Sequence, residues 1–177
     1  MGKIISNYKI DNSKIEIASR IISDLQKDIS KFAADGYGPF VAAIYDEKYS
    51  LVAKTVNSVV KDNNSNAHAE MKAIKLAEEK YGSYDLSPFN LKLYITSEPC
   101  MMCLGAIMWS GIKEVYYGVP SDSVEKITGF CEGYKPNWME EFKKLGISVC
   151  GNIEADLGEQ ELLKYVAGGK KIYNPSR

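Results

Sequence analysis

The sequence predicts an α/β protein, a three-layer α/β/α sandwich in which helices cover both faces of a central mixed sheet. Three observations carry this expectation. Apolar residues recur at helical spacing near the N-terminus, from Ile15 through Ala18, Ile22, Leu25 and Ile29 to Phe32. A hairpin-like stretch follows, VAAIYDEKYSLVAKTV, rich in Val, Ile, Tyr and Thr. From there on, short β-rich runs alternate with segments of high helix propensity. At 177 residues, 45% hydrophobic and 25% charged, one domain over 1–177 is expected, long enough to bury a sizeable core.

Taken in order, residues 1–12 stand as an extension, and the first helix is expected over 13–35. Ser13 and Glu16 form a capping-box pattern at its start, and Gly36 stops it. The hairpin turns around Asp46, Glu47 and Lys48, and NSVVKDNNSN reads as a polar loop. AHAEMKAIKLAEEKYG is helical, with Gly82 as its stop. Past Pro88, LKLYITS reads as an alternating strand. Pro99 suits the first turn of the next helix, CMMCLGAIMWSG, because its missing N–H has no intrahelical partner there. EVYYGV is a strand, SVEKIT a helix, GFCEGYKPN an irregular loop, WMEEFKKLG a helix, ISVCGNI a strand and GEQELLKYVAGG a closing helix. Residues 168–177 form a tail behind the potential hinge Gly168–Gly169, and no internal repeat interrupts the chain.

A formal net charge of −1 and a pI near 5.9 supply no overall positive field, so a nucleic-acid partner is not expected. Lys31, Lys61, Lys143, Lys144, Lys170 and Lys171 read as parts of a mixed-charge surface. No apolar run approaches the roughly 20 residues that cross a bilayer, and MGKIISNYKIDNSK lacks the long apolar centre of a secretory signal. A cytoplasmic protein without a membrane partner is the expectation. Four cysteines are too few for a disulfide scaffold. In a reducing compartment the CxxC pair then points to metal or redox chemistry.

Two fragments carry that chemistry: HAE at 68–70, holding the single histidine, and PCMMC at 99–103. A catalytic zinc site takes three protein ligands and leaves one position open; one imidazole with two thiolates is an accepted set. His68, Cys100 and Cys103 supply it, each at the expected start of a helix whose positive end favours thiolate. Two thiolates neutralise Zn²⁺ and weaken its acidifying effect on water, so a proton acceptor is wanted nearby. Glu70 stands about 200° around an ideal helix from His68, turned away from the metal direction and free to move protons as the catalytic residue. Three alternatives remain open at this point: a closed structural zinc site completed by Cys131 or Cys150, a redox pair at Cys100 and Cys103, and histidine as a mere helix cap.

H-x-E followed by P-C-x-x-C is the signature of zinc deaminases, which remove an exocyclic amine by hydrolysis. From about Pro39 to Val166 the chain resembles the cytidine deaminase superfamily, and most closely its guanine deaminases of bacterial type. GPF at 38–40, Asn57 eleven residues before His68, LGAIMW at 104–109 and GFCEG at 129–133 carry the resemblance. It implies a cytidine-deaminase-like fold, a Zn²⁺ cofactor and a nucleobase substrate, guanine above others. It also implies a homodimer, and substrate contacts from Phe40, Asn57, Ala69, Trp109 and Glu132. In the resembling family a C-terminal tyrosine can close the active site of a swapped partner, and Tyr173 is the candidate. Two departures stand out: Cys131 replaces the first acid of an acidic pair, and NNSNAHAE lacks the Asp-Pro that commonly precedes the histidine. Adenosine deamination in tRNA, and deamination of cytosine or guanosine, are the alternatives within the same chemistry.

Overall fold

The computed structural model describes residues 3–131, 133, 135 and 137–174. The N-terminal extension is a structural part of the sheet: β1 (Ile5–Ser6) pairs antiparallel with a later strand, and the Asn7 side chain bonds Met139 O, Ile147 O and Val149 N. Helix α1 spans Asn12–Ala34 and is capped by Asp11, whose carboxylate accepts from Ser13 N–H at 2.9 Å. The expected cap at Ser13 is therefore corrected, since Asp11, two residues earlier, supplies the side-chain acceptor. The hairpin is β2 (Val41–Tyr45) with β3 (Leu51–Val56), and Asp46 organises its turn by accepting from Lys48 N–H and Ser50 N–H.

A short helix, α2 (Val59–Asp62), stands where a polar loop was expected; Ser58 Oγ and Asp62 close it. Helix α3 (Ala69–Tyr81) ends on Gly82 at φ 62. Strand β4 (Lys92–Ser97) leads into α4 (Met101–Ser110), then β5 (Glu114–Val119), α5 (Ser121–Thr128), α6 (Trp138–Lys144), β6 (Ser148–Gly151) and α7 (Ala155–Ala167). The closing helix starts three residues before the expected GEQELL segment. Pro99 precedes the helix instead of sitting in its first turn, because Cys100 is the N-cap.

The six strands run in the order β1-β6-β5-β4-β2-β3. β4, β5 and β6 are parallel, whereas β2 pairs antiparallel with both β3 and β4. The sheet is mixed, as expected. All of β4 is buried, so its alternation separates two cores instead of core from solvent. On one face Leu93, Ile95 and Val115 pack under Ala73 of α3, Ile107 of α4 and Phe142 of α6. On the other, Tyr94 and Tyr116 pack against Ile22, Leu25 and Ile29 of α1. Val124 of α5 and Leu162 of α7 close a third cluster on Val119. Among the described residues no helix is long and apolar enough to cross a membrane.

Candidate active site

Helices α3 and α4 lie on the same face of the sheet, and both start at its centre. His68 and Cys100 are their N-caps, each with extended backbone (ψ 151 and 170) and neither spending its side chain on a capping bond. Thr55 Oγ1 ties the start of α3 to β3 by donating to Ala69 O at 2.6 Å. Those placements turn the ring and the sulfur toward one point. His68 Nδ1 lies 3.5 Å from Cys100 Sγ and 3.7 Å from Cys103 Sγ, and all three donor atoms fall within 4.8 Å of one another.

A tetrahedral zinc ion, with bonds of about 2.0–2.1 Å to nitrogen and about 2.3 Å to sulfur, separates N from S by about 3.6 Å. The observed separations bracket that value, so the donor set fits the ion without rearrangement. Neither Cys131 nor Cys150 belongs to the group; Cys150 lies in the core under α1, across the sheet. Among the described residues the group has three protein donors and no fourth, the pattern of a catalytic site instead of a closed structural one.

The electrostatics sort the titratable groups. The hydrogen bond from Cys103 holds the Cys100 sulfur as an anion, with the His68 ring assisting, and pulls Cys100 down to about 4. The same shared proton pushes Cys103 up, and burial adds to it. Glu70 is 6% exposed. Burial first, and then the Cys100 thiolate, push its carboxyl up to about 7. Such a value suits a group that must take and return a proton near neutrality. Glu70 stands outside the metal-ligating group while facing the same cavity.

That cavity holds about 350 Å³, near the lower end of the roughly 300–1,000 Å³ of small-molecule sites. His68, Glu70 and Cys100 stand beside Ile95 and Ser97 from the carboxyl end of β4, the end of parallel strands where ligands collect. Phe40 and Phe130 flank it, ring centroids 5.3 Å apart. Asn57 lines it from the end of β3, and Gly38 explains how: a Cβ on Gly38 would stand 2.6 Å from Asn57 Oδ1. The glycine of GPF thus makes room for the carboxamide, which accepts from Val59 N–H at a long 3.3 Å.

The tail closes the mouth. Tyr165 donates to Lys171 O, and the Asn174 carboxamide donates to Gly129 O at 2.8 Å and accepts from Cys131 N–H at 3.0 Å. Tyr173 therefore lines the cavity of its own chain.

Of the residues expected at the site, His68, Glu70, Cys100, Asn57, Phe40 and Tyr173 line this cavity, and Cys103 joins the metal-ligating group. Ala69 is buried with its side chain in the core, and its backbone opens α3, where first-turn N–H groups lack intrahelical partners. Trp109 is a correction: it is 82% exposed and borders a separate groove with Tyr84 and Met71. Six residues beyond Cys103, it stands about 9 Å further along the helix and about 120° around it. Glu132 lies outside the described residues. The sequence reading missed Phe130, Tyr165, Ser97 and Glu98. Glu98 accepts from Trp138 Nε1 and Ser121 N–H, fastening the PCMMC turn to α5 and α6.

Comparison with known proteins agrees with this geometry. The chain is 39% identical over 98 residues to the guanine deaminase of Bacillus subtilis, covering 55% of this chain and 60% of that one. It is 39% identical over 83 residues to a tRNA-specific adenosine deaminase of Buchnera aphidicola, covering 47% and 52%. The chain thus spans between half and two-thirds of the length of these curated relatives. A solved guanine deaminase from Nitrosomonas europaea superposes with a TM-score of 0.80 at 34% identity, over 84% of each chain. The family model for the cytidine and deoxycytidylate deaminase zinc-binding region matches residues 15–119, well over half of the sequence, and the chain belongs to that family.

Proposed function

We propose that this chain is a zinc-dependent aminohydrolase acting on a free nucleobase, with guanine as substrate: guanine and water give xanthine and ammonia. The observation that supports it most is the juxtaposition in one small, partly closed cavity of a three-donor metal group with the buried carboxyl of Glu70, which stands outside that group. His68, Cys100 and Cys103 would hold the ion, which supplies Lewis-acid activation of water. Glu70 takes a proton from the attacking water and passes one to the departing amine. Phe40 and Phe130, packed against each other in the cavity wall, offer one apolar aromatic surface to a planar ring, while Asn57 and the Ala69 N–H address its polar edge. Tyr173 shields the reacting centre from solvent.

Guanine is favoured by the two guanine deaminases to which the chain is similar. Adenosine in tRNA is the second reading, from the tRNA-specific relatives. Among the described residues Lys171 is the one Lys or Arg side chain lining the cavity, which does not make the basic rim that RNA recognition calls for. A homodimer and a reducing, cytoplasmic setting belong to the same proposal. Trp109 and Tyr84 are the exposed aromatics a second copy would cover, and thiolate ligands need protection from oxidation.

The test is ammonia release from purified, zinc-loaded protein offered guanine, guanosine, cytosine and a tRNA anticodon hairpin. Guanine should be consumed well ahead of the others. Preferential consumption of the hairpin, with binding that weakens steeply with salt, would transfer the assignment to RNA.

A further inference from the structure

Among the described residues, four buried side-chain polar atoms have no hydrogen-bond partner: Gln26 Nε2 and Oε1, Ser97 Oγ and Asn152 Oδ1. Gln26 is wedged against Gly118 and Gly158 within the packing of α1, β5 and α7. Asn152 follows β6. Neither lines the cavity, whereas Ser97 does.

Ser97 is the last residue of β4 and is 3% exposed. Leu93 and Ile95 of that strand face the layer of α3 and α4, and Tyr94 faces α1. The two-residue period of a strand puts Ser97 on the α3/α4 side, three residues before Cys100 and at the inner wall of the cavity. A buried hydroxyl with no partner destabilises a fold. Nothing in the strand pairing demands serine there, since the backbone partners of Ser97 in β5 would serve alanine equally.

We propose that Ser97 is a base-recognition residue, its hydroxyl kept without an internal partner so that it can bond a ring nitrogen or carbonyl oxygen of the seated base. The inference rests on the nucleobase reading above and adds a polar contact from β4 to those of Asn57 and Ala69. Stability is spent at this position on a bond made only when the ligand is present, an arrangement that recurs at functional sites.

Ser97→Ala and Ser97→Thr variants test it, loaded with zinc and checked for one zinc per chain. The probe is xanthine, the product expected from guanine, because it is not consumed; its affinity is read by calorimetry. Ser97→Ala should raise the thermal midpoint of the ligand-free protein and weaken xanthine binding roughly five- to thirty-fold. KM for guanine should rise in step while kcat changes little, and Ser97→Thr, which retains a hydroxyl, should recover part of the affinity. A lowered midpoint in Ser97→Ala would reveal a hydroxyl partnered within the fold and overturn the proposal. Xanthine affinity within two-fold of the parent would overturn it as well, while leaving the nucleobase reading intact. A parent protein that neither binds xanthine nor releases ammonia from guanine would overturn both.

Discussion

Gly38→Ala is the sharpest probe of how the GPF segment serves the cavity. The new methyl would meet Asn57 Oδ1 at 2.6 Å, Cγ at 3.0 Å and Cβ at 3.2 Å, all of them side-chain atoms of one residue. Ordinary contact begins near 3.4 Å, so the carboxamide must withdraw by most of an ångström. Its bond from Val59 N–H is already 3.3 Å long and breaks in the process, costing about 1 kcal/mol. The crowding itself costs about 1–3 kcal/mol. The sum, about 2–4 kcal/mol, lowers the melting midpoint by about 4–16 °C in a domain of this size. Because the strain is relieved by moving Asn57 away from the base, KM should rise as it does in Asn57→Ala. The double variant decides the matter: with Asn57 already Ala, adding Gly38→Ala should cost less than half as much, a coupling of about 1 kcal/mol or more between the two sites. Additive losses, or a Gly38→Ala protein with unchanged KM, would refute the account.

Three further outcomes are expected. Zinc titrated into apo-protein at pH 8 should release about one proton per ion, from Cys103, because Cys100 is already anionic; calorimetry in buffers of different ionisation heat measures this, and a value near two refutes the shared-proton picture. Glu70→Gln should lower kcat roughly 10²- to 10⁴-fold with zinc content unchanged. In the apo-protein the sign of its stability effect is also set: Glu70 holds its proton up to about pH 7 against an ordinary 4.5. That contribution is full below 4.5 and is lost as pH rises through 7, so Glu70→Gln should gain on the parent by up to about 3 kcal/mol between pH 5 and pH 8. Asn174→Ala removes the acceptor of Cys131 N–H, and hydrogen exchange at that amide should accelerate roughly ten-fold.

The parts of the site that could be read in advance are those written within a few residues of one another. HAE and PCMMC each place their donors by the start of a single helix, and helical arithmetic alone separates Glu70 from the metal direction. The strands and long helices follow from periodicity for the same reason. What escaped depends on remote partners: Phe130 matters because it packs against Phe40 in the cavity wall, and Tyr165 because it holds Lys171 of the tail. Glu98 escaped because its two donors, Ser121 and Trp138, lie 23 and 40 residues away. Ser97 looks like any strand residue until burial on both sheet faces shows its hydroxyl to be stranded. Trp109 is a different case, since its distance along α4 from Cys103 was already implied by the helix, and resemblance outweighed that arithmetic.

These expectations differ in sign, and the sign carries the distinction between scaffold and chemistry. Gly38 serves the fold by leaving space, so filling that space should weaken the fold and the cavity together. Glu70 and Ser97 do the opposite: Glu70 places a carboxyl where burial and the Cys100 thiolate oppose its charge, Ser97 a buried hydroxyl without an internal partner, and each replacement should firm the ligand-free protein while harming catalysis or base affinity. A pocket built only as packing would show no such inversion, because trimming a core side chain opens a cavity and destabilises. Loss of stability in both Glu70→Gln and Ser97→Ala would therefore count against a reaction site here, however well His68, Cys100 and Cys103 are arranged to hold a metal.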